Sequence, residues 1–176
     1  GSILIDGIDI SQIDPADLRK KVSYVPQDIH LFRNTIKNNI LGNYKFVDDE
    51  WMIKCSKISG TDEFVKLHPV GYDMPIGERG AGLSGGQRQS VGIARALIND
   101  SNIWLFDEPT NAMDQTSENN ILRKVEQNIE NRTLLLVTQK MNILDSVTRV
   151  IVMNNGEKVL DDSKIEVIKK LGANNG

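Results

Sequence analysis

Ile103-Trp104-Leu105-Phe106-Asp107-Glu108-Pro109-Thr110 joins an apolar run of strand length to two adjacent carboxylates and a proline that stops it. The run has no polar alternation, which is the pattern of a strand covered on both faces in a largely parallel sheet. Four further apolar runs bounded by turn residues lie at 3–5, 22–25, 134–137 and 150–153. Helical patterns fall between them, at about 48–59, 61–67, 86–98, 115–130 and 164–171. Strands alternating with helices predict an α/β fold. From Val25 to Ile103, however, helical patterns are broken by Pro69, Gly71, Pro75, Gly77 and Gly80 with no convincing strand. This predicts a helical subdomain over about 36–100, inserted into a sheet core made of 1–35 and 101–176, with 172–176 as a frayed tail.

Composition bounds the function. The 176 residues, 39% apolar and 26% charged, suit one compact domain and exclude two large ones. A net charge of −3 offers no general attraction for nucleic acid or anionic lipid, so no nucleic-acid partner is expected and a phosphate ligand must be held by local geometry. The single cysteine, Cys55, cannot form an internal disulfide and has no neighbouring Cys or His for a metal site; it reads as a packing or surface residue in a reducing compartment. No apolar run approaches the roughly 20 residues of a membrane span, and residues 1–10 lack the features of a secretion signal. The chain in itself reads as soluble.

Two stretches carry chemistry. In Leu83-Ser84-Gly85-Gly86-Gln87, Ser84 and Gln87 are spaced as a capping box before the apolar positions Val91, Ala94, Leu97 and Ile98. Capping explains the helix start but not two glycines in its first turn, each worse than Ala by up to about 1 kcal/mol. Glycine there implies close approach of another group to the backbone, and a helix N-terminus is an anion site. On this reading Gly86→Ala leaves the fold stable or slightly better while crowding a phosphate. The second stretch is the opening one. Strand carboxyl ends open onto the ligand crevice of an α/β sheet, and adjacent strand residues point to opposite sides. Asp107 could then hold Mg²⁺, directly or through water, while Glu108 accepts a proton from an attacking water. An acidic loop after a buried strand is the plainer reading of the same residues.

Together these motifs resemble the nucleotide-binding domain of an ATP-binding-cassette (ABC) transporter. Leu83 to Gln87 is similar to the family's signature, the run through Asp107 and Glu108 to its Walker B motif, Asn111-Ala112-Met113-Asp114 to its D-loop, Gln27 after Val25-Pro26 to its Q-loop, and Glu78-Arg79-Gly80 to the exporter X-loop. The resemblance runs through essentially the whole chain in the family's order. It implies a P-loop NTPase-like sheet core with an inserted helical subdomain, binding ATP and Mg²⁺. Ser84, Gly85, Gly86 and Gln87 would face nucleotide, as would Gln27, Asp107 and Asp114. Asp107 and Gln27 would serve the metal, and Glu108 and Gln139 catalysis. Two such domains would sandwich ATP, with Ser84, Gly85 and Gly86 of one donating to the γ-phosphate held by the other.

Two departures qualify the resemblance. No G-x-x-x-x-G-K-[ST] phosphate loop occurs in these residues, and 1–7 resembles family sequence that follows it. The chain is therefore expected to begin inside the domain, without its first strands, to expose core surface there, and to be inactive alone. At Leu134-Leu135-Leu136-Val137-Thr138-Gln139 the family places a switch histidine where Gln139 stands. An amide can hydrogen-bond a γ-phosphate but cannot become cationic. His30 in a loop and His68 before Pro69 read as surface residues and offer no replacement.

Three functions follow from the resemblance: an exporter motor, a non-transport cassette acting on DNA or chromosome structure, and a catalytically silent half whose partner hydrolyses. The short spacing from Gln27 to Leu83 leaves no room for the long coiled coil of the second and favours transport. The stretch from His68 to Gly80 resembles type I secretion ATPases. That implies a partner nucleotide-binding domain, a transmembrane domain, a secreted polypeptide with a periplasmic adaptor, and a place at the cytoplasmic face of the bacterial inner membrane.

Overall fold

The computed structural model describes residues 1–44 and 46–173; residues 174–176 of the expected frayed tail lie outside them. The chain divides into two units, Gly1–Val137 and Thr138–Gly176.

The first unit opens with an antiparallel hairpin, β1 (Leu4–Ile5) and β2 (Ile8–Asp9). Its turn residues Asp6 and Gly7 have φ of 49° and 82°, the left-handed pair that a two-residue hairpin turn of the primed kind requires. The run at 3–5 is thus a hairpin strand and not part of the parallel sheet. Helix α1 (Pro15–Lys21) starts where Asp14 accepts the Ala16 N–H at 2.7 Å and Pro15 presets the first-turn φ. It buries no residue, so no apolar stripe announces it in the sequence. Then follow β3 (Val22–Val25), β4 (Asn34–Thr35), α2 (Ile36–Leu41), α3 (Asp49–Ser59), α4 (Thr61–Val65), β5 (Pro75–Ile76), α5 (Gly85–Ile98), β6 (Ile103–Asp107), α6 (Gln115–Gln127) and β7 (Thr133–Val137). The stretch between β3 and β6 is mainly helical, with the small antiparallel pair β4–β5 in addition.

Strands β3, β6 and β7 form a parallel sheet in that order, with Val25 beside Phe106 and Phe106 beside Leu136. The α/β class with a parallel core is as expected. Val25, Trp104 and Phe106 share one buried cluster with Val91, Ala94 and Leu97 of α5. Each fully buried Val, Leu or Phe side chain there contributes about 1.5–3 kcal/mol relative to exposure. The expectation of cover on both faces holds for this face only. On the other face Tyr24, Leu135 and Val137 are 57%, 51% and 53% exposed. Apolar identity shows what a strand can bury, not which of its faces is covered.

Cys55 is fully buried on α3, and burial pushes its thiol up to about 12. It is a packing residue, protonated and unreactive at neutral pH. His30 is exposed, whereas His68 is half-buried and its Nδ1 accepts the Val70 N–H at 3.4 Å.

In the second unit a 3-10 turn at Met141–Ser146 precedes an antiparallel hairpin, β8 (Arg149–Asn154) and β9 (Glu157–Ser163), and then α7 (Lys164–Ala173). The run at 150–153 is therefore an antiparallel strand. Asn155-Gly156, with φ of 47° and 80°, turns the chain straight back and excludes a parallel crossover. Asp161 receives Arg149 Nε at 2.8 Å and Lys158 Nζ at 3.0 Å, and these hydrogen bonds hold its carboxyl at about 2. Among the described residues no helix is long and apolar enough to cross a membrane.

Candidate functional site

Strand β6 delivers Asp107 to its carboxyl end between β3 and β7. Asp107 shares the open sheet face with Tyr24, whose hydroxyl donates to Asp107 Oδ2 at 3.4 Å. The strand stops there, so the alternation that would oppose Asp107 and Glu108 does not extend to Glu108. Glu108 adopts φ of 44°, a left-handed conformation uncommon for a residue with a side chain. Such a position persists only where its surroundings over-determine it. Here the Glu108 N–H donates to Val137 O at 2.9 Å, and its carbonyl accepts the Asn111 N–H at 3.2 Å and Gln89 Nε2 at 3.4 Å. Pro109 and Thr110 are buried, and Thr110 Oγ1 donates to Oε2 of the buried Glu118 at 2.7 Å.

Helix α5 starts at the complete capping box: Ser84 Oγ accepts the Gln87 N–H at 3.1 Å and Gln87 Oε1 accepts the Ser84 N–H at 2.9 Å. Helix geometry leaves the N–H groups of Gly85 and Gly86 without an intrahelical carbonyl. The close approach that the glycines imply is made by the chain itself. A Cβ on Gly85 would stand 2.9 Å from Ala112 Cβ, and one on Gly86 3.3 Å from both Ala112 O and Met113 Cγ.

Gly86→Ala therefore does not simply gain helix propensity, because Ala112 and Met113 must give way. Gly85→Ala is expected to cost more, about 1–3 kcal/mol of overpacking. That lowers Tm by about 2–4 °C per kcal/mol for a chain of this size. Most of the cost should vanish when the substitution is made in an Ala112→Gly background. Thermal melts of the four variants check this, and an unchanged Tm for Gly85→Ala removes the packing explanation.

Gln27 lies exposed in the bend after β3. Its segment is tied to α5 further along: Arg95 donates to His30 O at 2.9 Å, to Asn39 O at 2.7 Å and to Asn39 Oδ1 at 3.1 Å, and burial lowers the pKa of this guanidinium. Asp114 caps α6, accepting the Ser117 N–H at 3.0 Å and the Ser117 hydroxyl at 2.7 Å, which together hold its carboxyl below the usual value. Gln139 belongs to the second unit, exposed in the bend that follows Val137. The first unit thus brings Asp107, Glu108 and the start of α5 together through the 108–113 segment, with Gln27 after the neighbouring strand.

Sequence reasoning missed Gln89, Thr110 and Glu118, the buried polar residues that hold the segment after β6. Polar residues normally mark a helix's solvent face, and only the burial of α5 nearly all round reveals Gln89 as interior. A separate cavity of about 130 Å³, lined by Trp51, Cys55, Leu97, Trp104 and Arg132 among others, includes none of the site residues.

A sequence profile of the family described as "ABC transporter" matches residues 1–111, which take in Gln27, the start of α5, Asp107 and Glu108. The chain belongs to the ABC transporter family. Among ABC relatives, the leukotoxin export ATP-binding protein LtxB of Aggregatibacter actinomycetemcomitans is 39% identical over 96% of this chain and 24% of its own length. An ATP-dependent lipid A-core flippase of Legionella pneumophila (strain Lens) is also 39% identical, over 96% of this chain and 29% of its own. A solved structure of a bacterial Atm1-family ABC exporter with ATP bound superposes with a TM-score of 0.91 at 32% identity, over 97% of this chain and 30% of that one. The chain thus spans about a quarter of the length of the ABC proteins it matches.

Proposed function

We propose that this chain is part of the motor domain of an ABC exporter, which hydrolyses ATP with Mg²⁺ and powers type I secretion of a polypeptide. The observation that carries the reading is the close packing of the glycine turn of α5 on the 112–113 segment that follows Asp107-Glu108. In this reading Glu108 takes a proton from the attacking water, and Asp107 with Gln27 holds Mg²⁺. These are hard oxygen donors, and they suit a metal that keeps waters and uses one or two carboxylates with the substrate's phosphates. The metal would neutralise charge developing on the phosphates. Ser84, Gly85 and Gly86, with Gln87 completing the cap, offer donors to a γ-phosphate bound by a second copy; Asp114 is assigned to nucleotide and Gln139 to catalysis. The 36–100 region would carry the helical subdomain that meets a transmembrane domain at the cytoplasmic face of the inner membrane.

The polypeptide substrate is proposed from the stretch between His68 and Gly80 and from the likeness to LtxB; a periplasmic adaptor would complete such a system. A silent half-site is the second reading, favoured by Gln139. Steady-state MgATP hydrolysis by the full-length polypeptide in proteoliposomes, with and without an unfolded secretion substrate or lipid A, tests the proposal. Hydrolysis stimulated by the polypeptide is expected. Stimulation by lipid A alone would overturn the substrate, and no hydrolysis would favour the silent half.

A further inference from the structure

Helix α5 touches the segment after β6 at more than its glycine turn. Gln89, only 5% exposed, accepts the Ala112 N–H on Oε1 at 2.8 Å and donates from Nε2 to the Glu108 carbonyl at 3.4 Å. Glu108 holds a left-handed backbone, a conformation uncommon for a residue with a side chain that needs external restraint. The backbone bonds to Val137 and Asn111 restrain it from the neighbouring strand and from its own loop. Gln89 adds a restraint from a helix, and that helix is the one whose first turn presents Gly85 and Gly86.

We propose that Gln89 is a positioning residue that sets the Glu108 carboxylate relative to the N-terminal turn of α5. This rests on the reading of Glu108 as the water-activating base. Because α5 is a rigid element, an anion drawn to its first turn displaces Gln89 with it, and the amide passes that displacement to the backbone of Glu108. In a two-copy sandwich the phosphate at α5 belongs to one site and Glu108 serves the other, so the side chain links the two sites. Glu118 holds Thr110 of the same segment from α6, while Gln89 hydrogen-bonds the segment from α5.

The test compares Gln89→Met and Gln89→Glu in the full-length polypeptide, measuring MgATP hydrolysis, Tm and amide hydrogen exchange at Ala112. Gln89→Met keeps the volume and removes both bonds. Its kcat should fall about ten- to a hundred-fold, the range for misplacing a reacting group by up to 1 Å. KM should stay within about two-fold, and Ala112 exchange should quicken. Gln89→Glu keeps the acceptor for Ala112 and loses the donor to Glu108, so Ala112 stays protected while kcat still falls several-fold. In a Glu108→Gln background neither substitution should lower the residual rate further. A kcat within about two-fold of wild type in both variants, or losses of kcat and nucleotide affinity that track a lowered Tm, would overturn the positioning role alone. Absence of hydrolysis by the wild type would overturn the hydrolase reading and this role with it.

Discussion

Glu108→Gln is expected to lower MgATP turnover by roughly 10²- to 10⁴-fold, the contribution of a positioned general base, while nucleotide binding and closure of two copies persist. The amide keeps the length and shape of the side chain. It leaves untouched the backbone bonds to Val137, Asn111 and Gln89 that hold the left-handed conformation. What it removes is the capacity to take a proton from water. Asp107→Asn should behave differently, because Asp107 is the last residue of β6, on the sheet face with Tyr24, and is assigned to the metal. Its loss should weaken Mg²⁺ dependence and nucleotide affinity more than the chemical step. Single-turnover hydrolysis, with light scattering to follow closure, separates the two. Equal effects on affinity and turnover would show the roles to be misassigned.

Gln139→His is expected to raise kcat by roughly 10²-fold, the size of an acid–base or charge-stabilising contribution. A neutral hydrogen bond from an amide to a γ-phosphate contributes only on the order of 1 kcal/mol. An imidazole can in addition become cationic as charge develops on the phosphate. The intact Asp107-Glu108 pair has little use in a domain that never hydrolyses, so the missing imidazole is the expected limit on rate. The variant's rate should therefore acquire a pH dependence with a limb at about pH 6.5, the ordinary imidazole value, that the wild type lacks. Steady-state rates of both proteins between about pH 6 and 9 check this. A flat profile with an unaltered rate would leave Gln139 as an adequate native phosphate contact.

Several elements are legible because their cause is local. The start of α5 can be read from Ser84 and Gln87, whose reciprocal bonds span three residues, and β6 from an apolar run closed by Pro109. Asp6-Gly7 and Asn155-Gly156 were equally local signals for the two hairpins, and apolar runs read without their turn residues misassign the strands beside them. Helix α1 announces itself only by Asp14-Pro15, since it buries nothing.

The sequence by itself determined the α/β class, the motif order that marks an ABC cassette, the capped glycine turn, and the carboxylate pair at a strand end. Each motif depends on residues within a few positions of one another, and the class and the motif order follow from the succession of such local signals along the chain. The tertiary structure alone decided why the turn needs glycine, since Ala112 and Met113 that crowd it lie some 26 residues downstream of it. It also decided that Gln89 is interior and that Tyr24, Leu135 and Val137 face outward. Periodicity records which residues can be buried, but what stands opposite them is set by segments distant in the chain, whose approach leaves no mark on local composition.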